Sequence, residues 1–370
     1  MAFPSSSVEE TVSVCSHGLP GSSPCLLPVR AHVREREGNV YLDKSSCTAG
    51  HPLSSVLLAD DLAYYERVRT FRGQNNGFSG VPFEPEAFRS YLGDTTGQHS
   101  CVAVVEITDR CNLTCPTCFA KSSPTSGTHR SVESIVRTLD DIASLPDKPD
   151  VVQLSGGEPT YHPAFFTLLE AAKQRFTYTM INTNGVRLAR EPDFAASLAP
   201  HREDFGVYLQ FDSFKPEALH KIRGADLTRV RHDALARLNE HSLSTILVSV
   251  LQRGVNTDEI GALIDYALQQ RCVRGVTFQP AQYAGRLENF NPTTERFCLS
   301  TLRQEIARQS TAFPLDSLIP APCNPDALFM GFALKHQGNV YPISGSVKPR
   351  LLLEPGLRGT LAYAAKPEMQ

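Results

Sequence analysis

The chain has 370 residues, of which 41% are hydrophobic, and a formal net charge of −3. This length suits one core domain with additions at both ends, and the balanced charge argues against a nucleic-acid partner. No apolar run of about 18 residues is present, and the first ten residues lack the basic start and apolar stretch of a secretory signal, so we expect a cytoplasmic protein without a membrane span.

The first hundred residues predict a small N-terminal region, 1–100. A Ser-, Pro- and Gly-rich start precedes strand-like runs at 29–33 and 39–42, and the turn signal around Gly38 indicates a hairpin between them. A helical pattern follows at 60–71, ahead of a segment with the composition of a loop and connector.

A regular alternation of strands and helices occupies residues 101–290. Strand-like runs lie at 102–107, 151–154, 178–182, 207–211, 245–250 and 275–279. Helix-like stretches lie near 131–145, 162–175, 189–199, 226–241 and 257–270. Such alternation predicts a parallel sheet of βα units, and six units are too few for a closed eightfold barrel. The expected fold class is therefore α/β, a partial (β/α)6 barrel.

After residue 290 the alternation stops. One helix is predicted near 294–309. The remaining segment is rich in proline, which limits regular structure, so we expect an irregular C-terminal cap over residues 291–370.

Ten cysteines are many for a chain expected in a reducing compartment, where clustered cysteines indicate metal binding or catalysis. Cys111, Cys115 and Cys118 directly follow the first barrel strand, with the spacing C-x3-C-x2-C. Three thiolates so placed can ligate three irons of a [4Fe–4S] cluster and leave the fourth iron open. That iron can chelate S-adenosylmethionine (SAM), and electron transfer then breaks a carbon–sulfur bond and releases a carbon radical. The alternative, a structural zinc site, would want four ligands.

Polar residues and glycines follow the next two strands, where barrel enzymes place their sites. Gly156 and Gly157 let the backbone approach a ligand, and Glu158 or the exposed backbone beside it can take the SAM ammonium group. Asn182 and Asn184 follow the third strand and suit contacts with the ribose or the carboxylate. The alternative for the two asparagines is a simple Asn-Gly turn.

The fourth strand is followed by an acidic residue. Asp212 is a candidate catalytic residue in contact with substrate or SAM, and the alternative is a satisfied structural carboxylate. Arg223 is a candidate partner for an acidic strand end or for the SAM carboxylate. Gln279 and Arg286 are expected at the same mouth of the barrel.

These features resemble the radical SAM superfamily over residues 101–290. They are most similar to the branch that contains the archaeal tetraether lipid synthases and the dihydropterin methyltransferase-like proteins. Beyond the cysteine motif, the stretches that carry the resemblance are Cys115-Pro116-Thr117-Cys118-Phe119-Ala120, Leu209-Gln210-Phe211-Asp212, Ile222-Arg223-Gly224, Arg253-Gly254-Val255-Asn256, Phe278-Gln279-Pro280 and Gly285-Arg286. The resemblance implies the fold, the [4Fe–4S] cluster and SAM, and adds Phe119 to the cofactor-binding residues. It also implies a small-molecule substrate and an electron donor such as flavodoxin or ferredoxin.

The N-terminal cysteines depart from this branch, whose members carry further metal sites built on closely paired cysteines. Here nine residues separate Cys15 from Cys25, and Cys47 and His51 follow, with His17 nearby. The first four of these residues are able to hold one second metal ion. The alternative is a decayed site with free thiols.

The C-terminal cysteines also depart from the branch. Only Cys298 and Cys323 lie there, so a complete auxiliary cluster lacks ligands, and the trimmed chain indicates a substrate smaller than a lipid. Cys323, with Cys298, is a candidate to meet the substrate directly, since soft thiolates favour soft partners such as trivalent arsenic. The alternative for Cys323 is a relic that packs as a small apolar residue. The chain also resembles the radical SAM enzymes of arsinothricin synthesis, which implies transfer of the 3-amino-3-carboxypropyl group of SAM to arsenic.

The leading hypothesis is a transferase-type radical SAM enzyme that forms a C–C or C–heteroatom bond on a small substrate. Transfer of a piece of SAM would release methylthioadenosine. It competes with hydrogen abstraction by a 5′-deoxyadenosyl radical in lipid or pterin modification, which would release 5′-deoxyadenosine and methionine. The alternative from another class is a non-catalytic metal-binding scaffold.

Overall fold

A computed structural model describes most of the chain in two compact units. The described residues are 7–15, 17, 25, 27–74, 102–145, 148–282, 284–287, 291, 295–321, 327–337 and 339–344. The first unit contains the described residues before position 98 and most of those after 287; the second contains the described residues between 99 and 287 and the segment Lys335–Asn339. No helix in the described part of the chain is both long and apolar enough to cross a bilayer.

The first unit contains a four-stranded antiparallel sheet whose strands follow one another in chain order. Its strands and following helix are β1 (Ser7–Val14), β2 (Pro28–Arg36), β3 (Asn39–Lys44), β4 (Ser54–Ala59) and α1 (Leu62–Gln74). The hairpin predicted around Gly38 is confirmed: Glu37 and Gly38 have φ values of 53° and 80°, the left-handed region that a tight two-residue turn requires. On β2, Val29, Ala31 and Val33 are buried alternately, so one face of the sheet packs inward.

The prediction missed β1 and β4. Both strands have many polar residues, Ser-Val-Glu-Glu-Thr and Ser-Ser-Val, and neither shows a sustained alternation of apolar and polar residues. They form because β1 pairs with β2 and β4 pairs with β3, and this pairing depends on the tertiary structure more than on local sequence.

The second unit is the α/β core, and it confirms the predicted fold class. Six parallel strands lie in chain order across one sheet: β5 (Val102–Thr108), β6 (Val151–Gly156), β7 (Tyr178–Thr183), β8 (Phe205–Gln210), β9 (Thr245–Leu251) and β10 (Val273–Pro280). Helices alternate with them: α2 (Val132–Ala143), α3 (Phe165–Lys173), α4 (Val186–Arg190), α5 (Pro192–Leu198), α6 (Pro216–Arg223), α7 (Thr228–Glu240) and α8 (Ile260–Gln269).

The core of this unit lies between the sheet and the helices. Alternate strand residues such as Leu154, Ile181 and Leu209 are fully buried there together with helix residues such as Leu168 and Leu235. The remaining side chains of each strand lie on the opposite face of the sheet, because successive side chains of a strand point to opposite faces.

Two helices differ from the prediction. The stretch near 189–199 is two helices, because Pro192 cannot continue the first and instead begins the second. Helix α6 was missed: it begins with Pro216 and ends at Gly224, whose φ of 78° terminates it.

The segment after residue 290 is less irregular than predicted. The expected helix is α9 (Leu299–Gln309), and four short strands follow: β11 (Ile319–Pro320), β12 (Phe329–Met330), β13 (Ala333–His336) and β14 (Asn339–Pro342). They pair as two two-stranded sheets.

Candidate active site

The three predicted cluster cysteines lie on the loop that follows β5, at the carboxyl edge of the parallel sheet. All three are free thiols in the structure. Backbone hydrogen bonds fold the loop onto itself: Cys111 N donates to Ser123 O at 3.2 Å, and Cys118 N donates to Cys115 O at 3.2 Å. The loop is therefore ordered by its own backbone.

Burial favours the protonated thiols of Cys111 and Cys115 when no metal is present. It raises the pKa of Cys111 to about 12, and the nearby Glu158 carboxylate adds to the effect. Burial also raises the pKa of Cys115, although the Arg223 guanidinium acts against it. Iron binds the deprotonated thiolates, and its positive charge stabilises them. Iron binding would therefore release the thiol protons.

Two remote segments of the second unit hold the cysteine loop in place. Arg286, which follows β10, donates to Cys115 O at 2.5 Å and to Ser122 O at 2.8 Å. Thr117 Oγ1 donates to Ile222 O at the end of α6, at 3.0 Å. Arg286 was expected at the barrel mouth, and the structure brings it to the cysteine loop.

The paired glycines after β6 pack against the backbone of the same loop. Gly156 has a φ of 125°, and a Cβ added there would lie 2.1 Å from Thr108 O. A Cβ on Gly157 would lie 2.1 Å from Arg110 O. Glycine is therefore required here so that the backbone can pack against the start of the cysteine loop. The sequence analysis had instead explained the two glycines by the approach of a ligand.

The Glu158 carboxylate is fully engaged within the protein. It is 1% exposed. Its Oε1 accepts from Thr160 Oγ1 at 2.6 Å and Thr183 Oγ1 at 2.8 Å, and its Oε2 accepts from Asn184 N at 2.8 Å. The side chain thus ties the β6 loop to the β7 loop, and the backbone N–H of Glu158 donates to Arg110 O at 2.9 Å in the cysteine loop.

The two asparagines after β7 have different surroundings. Asn184 is buried and donates to Asn112 Oδ1 at 2.6 Å, beside the Cys111 sulfur at 3.9 Å. Asn182 donates to Gln153 Oε1 and Ser155 Oγ, each at 3.2 Å, while its own Oδ1 has no partner among the described residues. Asn182 is therefore the one with hydrogen-bonding capacity to spare.

Asp212 is a buried carboxylate with several donors around it. It is 0% exposed and forms a two-point ion pair with Arg223, at 2.7 Å and 2.6 Å. Val250 N donates to it at 3.0 Å, and Arg231 lies 3.5 Å away. Burial alone would raise the pKa of Asp212, but the two guanidinium groups and the backbone donor hold it below its usual value. This geometry matches the satisfied carboxylate weighed in the sequence analysis.

The face of the sheet opposite the helices, called here the open face, carries a buried apolar cluster that includes Val151 and Met180. Beside it lies an uncharged polar row that the sequence reasoning missed. Gln153, Asn182 and Gln210 occupy it on β6, β7 and β8, since the intervening Leu154, Ile181 and Leu209 point into the core. The Oε1 of Gln210 is buried without a partner among the described residues. Gln279 Nε2 donates to Tyr208 OH at 3.3 Å on the same face. A single amide near the carboxyl end of each of three successive strands was the signal that could have revealed this row.

The remaining candidates are dispersed. Phe119 is 68% exposed, next to the last cluster cysteine. Cys323 lies outside the described residues. Cys298 is buried, 3% exposed, with its sulfur 3.8 Å from Leu57 O, and its contact with a substrate stays a prediction.

A second candidate centre lies in the first unit, as predicted. The ligand atoms of Cys15, Cys25, Cys47 and His51 all lie within 4.8 Å of one another. Cys25 and Cys47 sulfurs are 3.9 Å apart, and His51 Nδ1 is 3.2 Å from the Cys47 sulfur and 3.5 Å from that of Cys15. Sulfurs bound tetrahedrally to zinc at about 2.3 Å are about 3.8 Å apart, so the spacing fits one ion.

Charged and aromatic neighbours complete this second centre. Burial would raise the pKa of Cys47, but hydrogen bonds from the backbone of His51 and Ala49 and from the His51 ring lower it to about 6. His17 stacks on His51 with 5.5 Å between ring centroids. Lys44 is buried, donates to Val14 O at 3.0 Å and interacts electrostatically with Cys15, so it can offset the excess negative charge of three thiolates around a divalent ion.

The cluster cysteines differ from this second centre in a way that fits iron–sulfur chemistry. Among the described residues, the N-terminal four are the only set of three or more Cys, His, Asp or Glu side chains that could share a single ion. Cys111, Cys115 and Cys118 do not surround such a position. Three spaced thiols without a fourth ligand suit a cluster in which each thiolate binds a different iron.

Comparisons with known proteins place the candidate site within a family. Radical SAM superfamily sequences match residues 105–267. The 7,8-dihydro-6-hydroxymethylpterin dimethyltransferase of Methanocaldococcus jannaschii is 27% identical over 278 residues, 71% of this chain and 53% of the relative. The GTP 3′,8-cyclase of Chlorobaculum tepidum is 30% identical over 193 residues, 51% of this chain and 57% of the relative. The structure of Streptococcus suis SuiB bound to SAM aligns with 14% identity and a TM-score of 0.47 over 74% of this chain and 67% of that one.

The chain spans about half the length of these two curated relatives, 53% and 57%. The matched segment contains the cysteine loop, the paired glycines and Glu158. Residues 105–267 thus form a domain of the radical SAM superfamily, whose members use a [4Fe–4S] cluster and SAM.

Proposed function

We propose that this protein is an enzyme that cleaves SAM reductively at a [4Fe–4S] cluster held by Cys111, Cys115 and Cys118. The observation that carries this proposal is the cysteine loop itself, seated at the carboxyl edge of the parallel sheet, where the described residues supply no fourth ligand. When bound, such a cluster chelates SAM at its open iron and supplies the electron that breaks a carbon–sulfur bond.

The residues around the loop would bind and orient SAM. The backbone of Gly156, Gly157 and Glu158 lies against the cysteine loop, where Gly157 N donates to Thr108 O and Glu158 N to Arg110 O. With these N–H groups engaged, the peptide oxygens of the segment are the groups that would accept from the SAM ammonium group. Asn182, with its unpaired Oδ1, is suited to accept from a ribose hydroxyl. Exposed Phe119 offers a ring for the adenine to pack against.

We propose a small polar substrate. The open face of the sheet near the site carries amide side chains, and two of its buried oxygens, on Asn182 and Gln210, lack donors among the described residues. A long apolar chain would leave such groups unsatisfied, which is costly, whereas a substrate with N–H or O–H groups would pair with them. Both curated relatives are named for polar heterocycles, a dihydropterin and GTP.

The bond that is broken in SAM stays a prediction. Transfer of the 3-amino-3-carboxypropyl group, with trivalent arsenic as the acceptor, was predicted from a resemblance. This reaction would need a soft ligand for arsenic, for which Cys323 and Cys298 are the candidates. Identifying the nucleoside product, methylthioadenosine or 5′-deoxyadenosine, separates transfer from hydrogen abstraction.

A reductant is required by either route, and we propose a small electron-transfer protein such as flavodoxin or ferredoxin. An oxygen-sensitive cluster also suits the cytoplasmic location expected from the sequence. We further propose that residues 101–290 are the catalytic domain, with 1–100 and 291–370 as additions to it.

Anaerobic reconstitution with iron and sulfide tests the proposal. We expect about four irons per chain, visible sulfide-to-iron absorbance and SAM cleavage after reduction. Cys115→Ala should lose cleavage, whereas Cys272→Ala, which removes a buried thiol elsewhere in the same unit, should retain it. A zinc-only protein, or full cleavage by Cys115→Ala, would favour the scaffold alternative.

We also propose that the N-terminal centre binds structural zinc through three thiolates and His51. All four ligands come from the protein, which is typical of a closed structural site. His51→Ala should lower zinc to well below one per chain, as measured by elemental analysis. His17→Ala is the matched control. The His17 ring also contacts Cys15 but does not belong to the set of four ligands, so this variant should retain zinc. Equal zinc contents in the two variants would contradict the assignment.

A further inference from the structure

A buried asparagine beside the first cluster cysteine is held at three of its four polar groups. Glu158 Oε2 accepts from Asn184 N at 2.8 Å, and Arg231 donates to Asn184 O. Val186 N donates to Asn184 Oδ1 at 3.0 Å. Asn184 is 3% exposed, so its side chain is fixed by packing as well as by hydrogen bonds. Its Nδ2 is the one group left to act on a neighbour.

The direction of the Asn184 amide follows from the contact with Val186. A backbone N–H can only donate, so the amide atom that faces it must be the oxygen, and Nδ2 must face away. Nδ2 donates one hydrogen to Asn112 Oδ1 at 2.6 Å, and its other hydrogen is available to the Cys111 sulfur, 3.9 Å away. The same contact orients Asn112, whose oxygen faces Asn184 and whose Nδ2 therefore does not.

Asn112 ends this chain of amides with an unused donor. Its Oδ1 is 3.7 Å from the Cys111 sulfur, so the amide lies beside that cysteine. Its Nδ2 is buried and has no partner among the described residues. A buried N–H without an acceptor is costly, so the position favours an acceptor that binds there. The sulfur atoms of a cluster held by Cys111 are acceptors of this kind.

We propose that Asn184 and Asn112 are positioning residues for the cluster: their N–H groups donate to its sulfur atoms at Cys111, orient that ligand and make the cluster easier to reduce. This inference rests on the proposed function. A reduced cluster is more negative than an oxidised one, so a donor to its sulfur stabilises the reduced state more and raises the reduction potential.

Asn239 offers a matched comparison in the same unit. It is also an amide that joins separate segments: its Nδ2 donates to Gln270 Oε1 at 2.9 Å, and its Oδ1 accepts from Cys272 N at 3.0 Å. Asn239 lies at the end of α7 and Cys272 precedes β10, so these contacts are at the amino edge of the sheet, opposite the cysteine loop. A change there removes a bridging amide away from the cluster.

The test compares Asn184→Leu with Asn239→Leu in the reconstituted full-length chain, without SAM. Leucine has a similar branched shape but no N–H group. We expect Asn184→Leu to hold about four irons and to show, at a fixed applied potential, an about tenfold smaller ratio of reduced to oxidised cluster, which is a shift of about 59 mV for a one-electron couple. Asn239→Leu should keep the wild-type ratio.

A second measurement reads the contacts directly. With a heavy nitrogen isotope in the asparagine side chains, the reduced wild-type cluster should show a coupling to that nitrogen in pulsed EPR. Asn184→Leu should weaken the coupling and Asn239→Leu should retain it. If Asn184→Leu fails to fold or to hold iron, the labelled wild-type chain decides: a coupling supports the inference, and its absence overturns it.

The remaining outcomes overturn the inference. An iron-loaded Asn184→Leu chain with the wild-type ratio would show that the amides do not act on the cluster. The wild-type ratio together with weaker SAM binding would assign them to SAM instead. Failure of the proposed function is distinguishable, because the wild-type chain and Asn239→Leu would then form no cluster.

Discussion

At the scale of single residues, the buried carboxylates act on the loops around the site. Glu158 and Asp212 are both nearly inaccessible, and each accepts hydrogen bonds from two or more segments. Their pKa values move in opposite directions. Burial dominates at Glu158, whose donors are neutral, and raises its pKa, whereas two guanidinium groups outweigh burial at Asp212.

This difference predicts a pH dependence for Glu158→Gln in the metal-free protein. The unfolded pKa of a glutamate is about 4.3, and the folded pKa of Glu158 is higher, so the folded chain holds the extra proton between the two values. Wild-type stability from this group is therefore fully present below the unfolded pKa and is lost as pH rises through the folded pKa. Glutamine does not titrate, so the stability difference between wild type and Glu158→Gln should shrink from pH 4 to pH 8. Urea unfolding at both pH values measures it, and a constant difference would contradict the assignment.

At the scale of secondary structure, the cysteine loop depends on backbone contacts from other elements. Gly285, which follows β10, has a φ of 62°, and a Cβ there would lie 2.3 Å from Cys118 O. Gly254 has a similar φ of 71° with nothing within 4 Å. The two glycines therefore differ in crowding and not in backbone conformation.

Alanine substitutions at these glycines separate the two effects. Both variants should bear the strain of a left-handed alanine, about 1 kcal/mol. Gly285→Ala should lose about 1–3 kcal/mol more through overpacking and should hold less iron after reconstitution, because the backbone of the cysteine loop must move. Thermal unfolding and iron analysis measure the two quantities. Equal iron contents in Gly285→Ala and Gly254→Ala would show that the contact is unimportant for the cluster.

At the scale of the whole molecule, each of the two units carries its own candidate metal centre. The N-terminal ligands lie at strand ends of the antiparallel sheet: Cys15 follows β1, Cys25 precedes β2, and Cys47 and His51 lie between β3 and β4. A zinc ion there would fasten these ends together, and the free energy of binding would add to the stability of the sheet.

Zinc removal should therefore affect the two units unequally. If free zinc is about 100 times its Kd, its loss destabilises the site by about 2.7 kcal/mol, so amides that exchange by opening of the site should exchange about 100-fold faster. Hydrogen exchange with and without a chelator measures this, with β1 and β2 as the reporters and β6 to β8 as the internal reference. Unchanged exchange in β1 and β2 would argue against a stabilising zinc ion.

The sequence by itself determined the features that depend on local pattern. The six strands of the parallel sheet follow from apolar runs at regular spacing, and the cluster cysteines follow from three thiols within eight residues after the first of these strands. Helix α6 and strands β1 and β4 were missed because their local composition is weak.

Only the tertiary structure decided what the polar residues at the strand ends contact. Asp212 and Glu158 each follow a strand, which is also where a ligand-binding carboxylate would lie. The sequence does not distinguish a structural carboxylate from a ligand-binding one at this position. Arg223, Thr183 and Asn184 reach these carboxylates only after the βα units are laid side by side, so the carboxylates face inward and the open face is left to the neutral amides of Asn182 and Gln210. Pairing of charges is a three-dimensional property: burial makes an unpaired carboxylate costly, and only the fold decides which donors are close enough to pair with it.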